Sequence, residues 1–172
     1  MHSISKFNPT NTPFDFTRYD ALYEMDRIKI IEALIPDGHE KHAIDIGCGP
    51  GYFSKVLSNK GWKTTAIDTS SVNIESAKTY ADETHAGDAI SVLSEIPNSC
   101  YDLAILLEVI EHMPKIHGQT LIEQASRVLK PGGKLIISTP NKLSPEGLGE
   151  YYWGEKVLGR NWNAWDPTHV HI

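Results

Sequence analysis

The sequence predicts an α/β fold in which helices cover both faces of a doubly wound parallel sheet, a three-layer α/β/α arrangement. Short apolar runs alternate with stretches of helical periodicity between residues 42 and 139, and this alternation is typical of parallel strands joined by helical crossovers. A glycine-rich segment follows the first strand, and an aspartate ends the second. Doubly wound sheets bind their ligands at this edge, beyond the carboxyl ends of the strands.

The leading helix and the first strand–turn–helix unit have clear stop signals. Apolar residues recur at helical spacing from Leu22 to Ile35, and Pro36-Asp37-Gly38 ends that helix. An apolar strand begins at His42 and ends in glycines, and the helix that follows stops before Asn59-Lys60-Gly61. This unit therefore reads as strand, tight turn and helix.

The remaining elements continue the alternation. Residues 62–67 are predicted to form a second strand, with Asp68 at its carboxyl end. Ser70-Ser71 can cap the next helix. The later elements are a weakly marked strand over 84–86, a clear buried strand over 101–107, a helix that carries apolar residues up to Leu129, a stop at Lys130-Pro131-Gly132-Gly133 and a fifth strand over 134–139.

Composition argues against a nucleic-acid-binding or membrane-spanning protein. The 172 residues are 40% hydrophobic and 22% charged, with a formal net charge of −6. No run of lysines or arginines could follow a phosphate backbone, and no apolar stretch approaches the roughly 20 residues that a bilayer requires. Cys48 and Cys100 lack metal-ligand spacing, so we expect free thiols and a cytoplasmic protein.

Residues 45–51 and Asp68 together predict a nucleoside pocket. The segment reads Asp-Ile-Gly-Cys-Gly-Pro-Gly, and its glycines allow the backbone to approach a ligand closely. Asp68 lies nineteen positions beyond Gly49, where a carboxylate can accept hydrogen bonds from both hydroxyls of a ribose. A purely structural turn is the alternative interpretation.

The order of the motifs resembles that of class I S-adenosylmethionine-dependent methyltransferases. The matching segments lie at 45–51, at Asp68, at Gly-Asp-Ala 87–89 and at Val-Leu-Lys-Pro-Gly-Gly 128–133, so the resemblance covers roughly residues 20 to 141. It implies a Rossmann-like sheet of order 3-2-1-4-5, with S-adenosylmethionine as methyl donor and S-adenosylhomocysteine as product. The two further strands usual in this family are not predicted here. We therefore expect the natural protein to continue beyond Ile172, or the fifth strand to be covered by the tail or another chain.

The resemblance also implies which residues contact the cofactor. The glycine segment touches its amino acid part, the carboxylate after the second strand holds the ribose, and the Gly-Asp-Ala segment lies beside the adenine. A carboxylate at Asp45 complements the methionine ammonium and would face it directly or through a water molecule. Arg27 would pair with the methionine carboxylate unless it lies on a solvated helix face. The residues assigned to the cofactor are Arg27, Asp45, Gly47, Cys48, Gly49, Gly51, Asp68, Thr69, Asp88, Ala89 and Leu107.

Three ionisable residues follow the fourth strand, at the expected methyl end of the crevice. Their spacing places Glu108 with Glu111, or Glu108 with His112, on one side of a helical turn. In methyl transfer the protein mainly aligns the acceptor and removes its proton. Glu111 or His112 could be that base, or the two could orient loops by hydrogen bonds.

The same segment resembles the Glu-x-x-Glu-His segments of ubiquinone-pathway O-methyltransferases and small-RNA 2′-O-methyltransferases, which hold a divalent ion. Asp166-Pro167-Thr168-His169 is similar to a Gly-Thr-His stretch of the ubiquinone-pathway enzymes, apart from the residues before the threonine. Two carboxylates and two imidazoles, His169 included, could bind Mg²⁺, Mn²⁺ or Zn²⁺ and acidify an acceptor hydroxyl. A Glu-His pair that works without metal is the alternative.

The whole chain is expected to form one domain, with an N-terminal arm and helix over 1–40, a cofactor-binding core over 41–140 and an aromatic lid over 141–172. The tyrosines and tryptophans of the lid could roof the acceptor pocket or cover the sheet edge. The resemblance favours a small-molecule acceptor methylated on oxygen. A homodimer is compatible with the sequence.

Two other functions stay open on the sequence alone. Tyr152 and Lys156 have the Tyr-x-x-x-Lys spacing of NAD-dependent short-chain dehydrogenases, although Gly51 comes one residue too early for the dinucleotide fingerprint. The second alternative function is that of a methyltransferase-like subunit that binds cofactor without catalysis, because a cofactor motif does not reveal whether an acceptor site exists.

Overall fold

The computed structural model describes residues 22–140, with side chains from residue 26 onward, and in this range the strands and helices alternate. The elements in chain order are α1 (Leu22–Leu34), β1 (His42–Ile46), α2 (Tyr52–Asn59), β2 (Lys63–Asp68), α3 (Ser71–Ala77), β3 (Glu83–Ala86), α4 (Ala89–Glu95), β4 (Tyr101–Leu107), a short 3₁₀ helix (Ile110–His112), α5 (Lys115–Val128) and β5 (Leu129–Ser138).

The five strands form one parallel sheet of order β3-β2-β1-β4-β5. This is the order that the resemblance implied, and the Rossmann-like prediction is confirmed. The central strand is β1, in which Asp45 is aligned with Ala66 of β2 and Ile105 of β4. Because all carboxyl ends of parallel strands share one edge, the segments after β1, β2, β3 and β4 meet there.

Side chains of β1 alternate between two apolar layers. Ala43 packs on one face with buried residues of α1 and α2, including Phe53 and Leu57. Ile44 and Ile46 pack on the other face with α4 and α5. Since both faces are covered there, the central strands β1 and β4 are mostly apolar and buried, as expected for the middle of a parallel sheet.

The helix α1 is fixed to the rest of the domain at several points. Its residues Ile28 and Ile31, and Ile35 directly after its end, are buried against the sheet. Lys60 donates hydrogen bonds to the carbonyl oxygens of Glu32 and Ile35, and these carbonyls would otherwise lack partners at the helix end. The helix is thus part of the core.

Two elements differ from the sequence-based expectation. The helix α4 was not predicted, because seven residues give too short an apolar pattern; it begins where Asp88 accepts a hydrogen bond from the Ser91 amide at 2.9 Å. The residues 130–133 were expected only to stop a helix. They lie in the first part of β5 because α5 already ends at Val128 and pairing with β4 resumes after a register shift.

The strand β5 lies at one edge of the sheet. Among the described residues, β5 pairs with β4 alone, and Ile137 is 39% exposed. The residues expected to shield this edge, 141–172, lie outside the described range. In the part of the chain that is described, none of the helices has the length and apolar character needed to cross a bilayer.

Candidate active site

The glycine-rich turn after β1 is shaped by close contacts on two sides. A Cβ on Gly47 would lie 2.3 Å from Val109 Cγ2, and one on Gly51 would lie 2.9 Å from the Ala77 Cα. Both glycines therefore let the turn pack against the loop after β4 and against α3. By contrast, a Cβ on Gly49 would meet nothing within 4 Å, so the middle of the turn presents open backbone to the edge of the sheet.

Asp68 joins this turn to the start of α3. Its Oδ2 accepts a hydrogen bond from the Gly49 amide at 2.8 Å. Its Oδ1 accepts from the Ser70 amide at 2.8 Å and from Asn73 Nδ2 at 3.2 Å. Each carboxylate oxygen has about two acceptor positions, so one position remains, on Oδ2. The carboxylate could hold one ribose hydroxyl with these partners in place, rather than the two expected.

Asp45 is a buried carboxyl group at the end of the central strand. It is 3% exposed, and its Oδ2 accepts a hydrogen bond from the Ser54 hydroxyl at 2.6 Å. Burial raises the pKa of Asp45 to about 7; the Ser54 hydrogen bond opposes this rise, and the negative charge of Asp68 adds to it. The nearby Cys48 stays a thiol at neutral pH, because burial and then the charges of Asp45 and Asp68 raise its pKa.

The other residues assigned to the cofactor lie on the same edge of the sheet. Thr69 is exposed directly after β2, and Leu107 is half-buried at the end of β4. Asp88 and Ala89 follow β3, where Asp88 Oδ1 accepts hydrogen bonds from both the amide and the hydroxyl of Ser91. The structure therefore brings the predicted ribose, adenine and methionine segments to one side of the molecule.

Arg27 lies at this edge as well. Its Nη1 is 3.0 Å from Glu108 Oε1, and its side chain is only 19% exposed, which does not fit a solvated helix face. The Ser138 hydroxyl donates to the same Glu108 oxygen at 2.7 Å. Glu108 has a φ of 54°, and this left-handed conformation in a non-glycine residue is typical of functional or tightly constrained positions. The cluster ties α1 to the ends of β4 and β5.

Glu111 and His112 point to different environments although they are adjacent. Glu111 is 1% exposed, and its Oε2 accepts a hydrogen bond from Thr139 Oγ1 at 3.3 Å. Its Oε1 accepts none from the described residues. Burial raises the pKa of Glu111 to about 7, with a further rise from the charge of Glu108 and an opposing effect of Arg27. His112, the next residue of the 3₁₀ helix, is exposed.

Of the two predicted pairings, the structure thus favours Glu108 with Glu111. Among the side chains described, those of residues 26–140, no three acidic, histidine or cysteine groups gather closely enough to hold a metal ion. The fourth predicted ligand, His169, lies outside the described residues, as do Tyr152, Lys156 and the aromatic lid. The metal site stays a prediction without geometric support in the described part.

Several polar residues of this site were missed by the sequence analysis. Ser54, Asn73, Ser138 and Thr139 each donate a hydrogen bond to one of the site carboxylates. One signal was available for the last two, since they lie at the end of β5 and therefore on the same edge as the predicted site. Ser54 and Asn73 lie within helices, where nothing in the local pattern indicates what they contact.

The residues present fit the cofactor that the resemblance implies. S-adenosylmethionine carries an ammonium group and a sulfonium, and two carboxylates, Asp45 and Asp68, lie beside the turn. The open backbone at Gly49 leaves room for a ligand, because even a Cβ there would touch no atom. A cationic nucleoside is thus compatible with both the charge and the space of this edge.

Comparisons with known proteins give a consistent result. The family model for a methyltransferase domain matches residues 18–172. A protein named ubiquinone biosynthesis O-methyltransferase from Rickettsia canadensis is 35% identical over 133 residues, covering 74% of this chain and 52% of that protein. One of the same name from Rickettsia prowazekii is 32% identical over 164 residues, with 89% and 62% covered. The chain thus spans between about half and three fifths of the length of these relatives.

A solved structure shares the fold. The crystal structure of a SAM dependent methyltransferase from Archaeoglobus fulgidus matches with a TM-score of 0.71 and 20% identity, covering 92% of this chain and 68% of that one. At this identity the similarity shows the fold alone. It agrees with the strand order described above.

Proposed function

This chain belongs to the family of methyltransferase domains, and from that membership we propose that it transfers a methyl group from S-adenosylmethionine to a small-molecule acceptor, leaving S-adenosylhomocysteine. The observation that carries the proposal is the meeting of Asp45, Gly49 and Asp68 at one edge of the sheet. Asp68 accepts the Gly49 amide at 2.8 Å, and Asp45 is buried beside them. Both carboxylates suit a cationic nucleoside.

Each group of the cofactor has proposed contacts among the described residues. When bound, S-adenosylmethionine supplies a methyl group already activated by its sulfonium. Asp45 faces the ammonium group, and the free acceptor position of Asp68 takes a ribose hydroxyl. The other proposed contacts are Arg27 at the methionine carboxylate, Gly47, Cys48 and Gly51 along the turn, Thr69 near the ribose, Asp88 and Ala89 beside the adenine, and Leu107 at the end of β4.

Glu111 is the proposed catalytic base. Its Oε1 lacks a donor among the described residues, and the pKa of about 7 lets the carboxylate both take and release a proton near neutrality. As the acceptor oxygen gains the methyl group, its proton passes to Glu111. Glu108 orients the site through Arg27 and Ser138, and it holds a charge that favours proton uptake by Glu111.

A divalent ion is the alternative role for this cluster, with Glu108, Glu111, His112 and His169 as ligands. The two mechanisms differ in how the acceptor loses its proton. In the first a carboxylate takes it, and in the second a bound metal ion would acidify the acceptor hydroxyl so that its proton is released to water. Turnover before and after chelation by EDTA separates them. Unchanged turnover supports the carboxylate, whereas a loss that Mg²⁺, Mn²⁺ or Zn²⁺ restores supports the metal.

A small-molecule acceptor methylated on oxygen is favoured by the relatives, which are named O-methyltransferases of ubiquinone biosynthesis. The net charge of −6 also favours a small molecule over nucleic acid. We propose a single domain over 1–172, with 141–172 as an acceptor-side lid, working in the cytoplasm, where free Cys48 and Cys100 stay reduced. Sedimentation equilibrium would tell a homodimer from a monomer.

Isothermal titration calorimetry tests the cofactor. We expect S-adenosylmethionine and S-adenosylhomocysteine to bind and NADH not to bind, since neither the family model nor the relatives are dehydrogenases. The variant Asp68→Ala should lose affinity by about 100-fold, because the half-buried carboxylate that accepts the ribose hydroxyl and orders the turn is removed. A matched control is Asp82→Ala, whose carboxylate accepts the Thr64 amide at 2.7 Å at the opposite end of β2. Binding of NADH alone would reject the proposal.

The acceptor itself can be found by mass spectrometry. A metabolite extract incubated with the protein and methyl-labelled S-adenosylmethionine should yield a labelled small molecule, and protein with Glu111→Gln should yield far less of it. A parallel incubation with total RNA that yields labelled RNA, while the metabolite extract yields no labelled product, would show that the proposed acceptor class is wrong.

A further inference from the structure

The carboxyl group of Asp45 lies in an environment that disfavours its charge. In the sheet it is flanked by Ala66 and Ile105, which are both apolar. The charged group that acts on it from β2 is Asp68, which is also negative, and the neighbouring Cys48 of the turn is a neutral thiol. Among the described residues, no cation contributes to the pKa of Asp45.

Ser54 is the group that opposes this environment. Its hydroxyl donates to Asp45 Oδ2 at 2.6 Å, a short distance typical of a hydrogen bond to a charged acceptor. Its backbone amide also favours the ionised carboxylate. The side chain is fully buried, whereas its helix neighbours Phe53 and Leu57 pack into the apolar core. A buried hydroxyl needs a partner, and here the partner is Asp45.

We propose that Ser54 is a positioning residue, which holds the Asp45 carboxylate ionised and in one orientation for the ammonium group of the cofactor's methionine part. The inference rests on the proposed function. The Ser54 hydroxyl occupies one acceptor position, on Oδ2, and the carboxylate keeps other acceptor positions for the ammonium. Ser54 itself lies behind Asp45 on α2 and acts only through it.

The charge of Asp45 gives the proposal a measurable signature. Without the Ser54 hydroxyl, burial and the charge of Asp68 still raise the pKa of Asp45, and one opposing contribution is lost. A larger share of the carboxyl groups is then protonated near neutral pH, and a neutral carboxyl group attracts an ammonium poorly. Affinity for a cationic ligand should therefore fall most at low pH and recover as pH rises.

The test is calorimetric binding of S-adenosylhomocysteine, which keeps the ammonium group, at pH 6.5, 7.5 and 9. For Ser54→Ala we expect affinity about five- to tenfold below wild type at pH 6.5 and 7.5, with the deficit shrinking to about twofold or less at pH 9. Ser58→Ala, an exposed position on the same helix, should match wild type throughout. Thermal melting of each variant confirms that the protein is folded.

A double-mutant comparison separates positioning from simple packing. In an Asp45→Asn background there is no charge to hold, so adding Ser54→Ala should change affinity by less than about twofold. If Ser54→Ala binds like wild type, the inference about Ser54 is wrong but the proposed function stands. The same conclusion follows if Ser54→Ala weakens binding equally at all three pH values and also in the Asp45→Asn background. If wild type binds neither S-adenosylmethionine nor its product, the proposed function itself fails.

Discussion

The guanidinium of Arg27 lies 3.0 Å from the carboxylate of Glu108, so an ion pair joins the leading helix to the loop after the fourth strand. Both side chains are largely shielded, and Ser138 bonds to each of them. The pair connects three elements that are distant in sequence.

Replacing Arg27 by Gln should destabilise the protein, because Glu108 keeps its charge beside Glu111 without a counterion. We expect the free energy of unfolding to fall by about 1–3 kcal/mol, as measured by urea denaturation. The matched control is Lys29→Gln on the same helix, whose exposed pair with Asp26 spans 3.7 Å and should contribute less than about 0.5 kcal/mol. Equal losses in the two variants would contradict a special role for the Arg27 pair.

Two alanine substitutions in the glycine turn should differ in whether they mainly lower stability or mainly lower cofactor binding. Gly51→Ala should lower stability by about 2–5 kcal/mol, because the new Cβ would lie 2.9 Å from the Ala77 Cα at a φ of 96°. Gly49→Ala has open space, so its strain should cost only about 1–2 kcal/mol, yet its methyl group would occupy the surface offered to the cofactor. Thermal melts with calorimetry of S-adenosylhomocysteine distinguish the two. Unimpaired binding by Gly49→Ala would count against a cofactor at this turn.

The proposed base predicts a pH profile. Since the pKa of Glu111 is about 7, the base is protonated at low pH, and kcat/KM should rise about tenfold per pH unit below 7 and level off above it. Glu111→Gln should lower kcat by roughly 100-fold or more while cofactor affinity changes little. His112→Gln serves as the control on the exposed neighbour. A larger loss from His112→Gln than from Glu111→Gln would move the role of base to the histidine.

Stability should also depend on the pH through Asp45. Its pKa is raised from 3.8 to about 7 by burial, so between these values the folded protein binds more protons than the unfolded chain. The folded state favours the protonated carboxyl group, so stability is highest below the unfolded pKa of 3.8 and falls as pH rises through the folded pKa of about 7. Asp45→Asn, which cannot ionise, should therefore be more stable than wild type at pH 8 and similar to it at pH 4, in urea titrations. A deficit at pH 8 would contradict the raised pKa.

The sequence predicts well those features that depend on neighbouring residues. The turn at 45–51, the acid that closes β2 and the Ser70 cap of α3 each follow from a local pattern, and alternating strands and helices then leave few possible sheet orders. The pair of Arg27 and Glu108 could not be found in this way. Such contacts arise only after separate elements dock on the sheet.

The missed features share a physical cause. The helix α4 has seven residues, too few for a clear helical period, and its stability comes from packing of Leu93 rather than from its own sequence. The left-handed backbone of Glu108 has no sequence signal, since only the surrounding contacts hold it. Likewise, the donors Ser54 in α2 and Ser138 in β5 resemble ordinary helix and strand residues until their partners are in place.

The attachment of α1 has a consequence for how the domain can be divided. The helix contains none of the motif residues except Arg27, but its isoleucines fill the apolar layer over β1 and β4, and Lys60 binds its last turn. A protein shortened to begin at residue 41 would keep every glycine and acid of the cofactor edge while leaving that layer open to water. The smallest unit able to fold independently therefore begins upstream of the first recognisable motif.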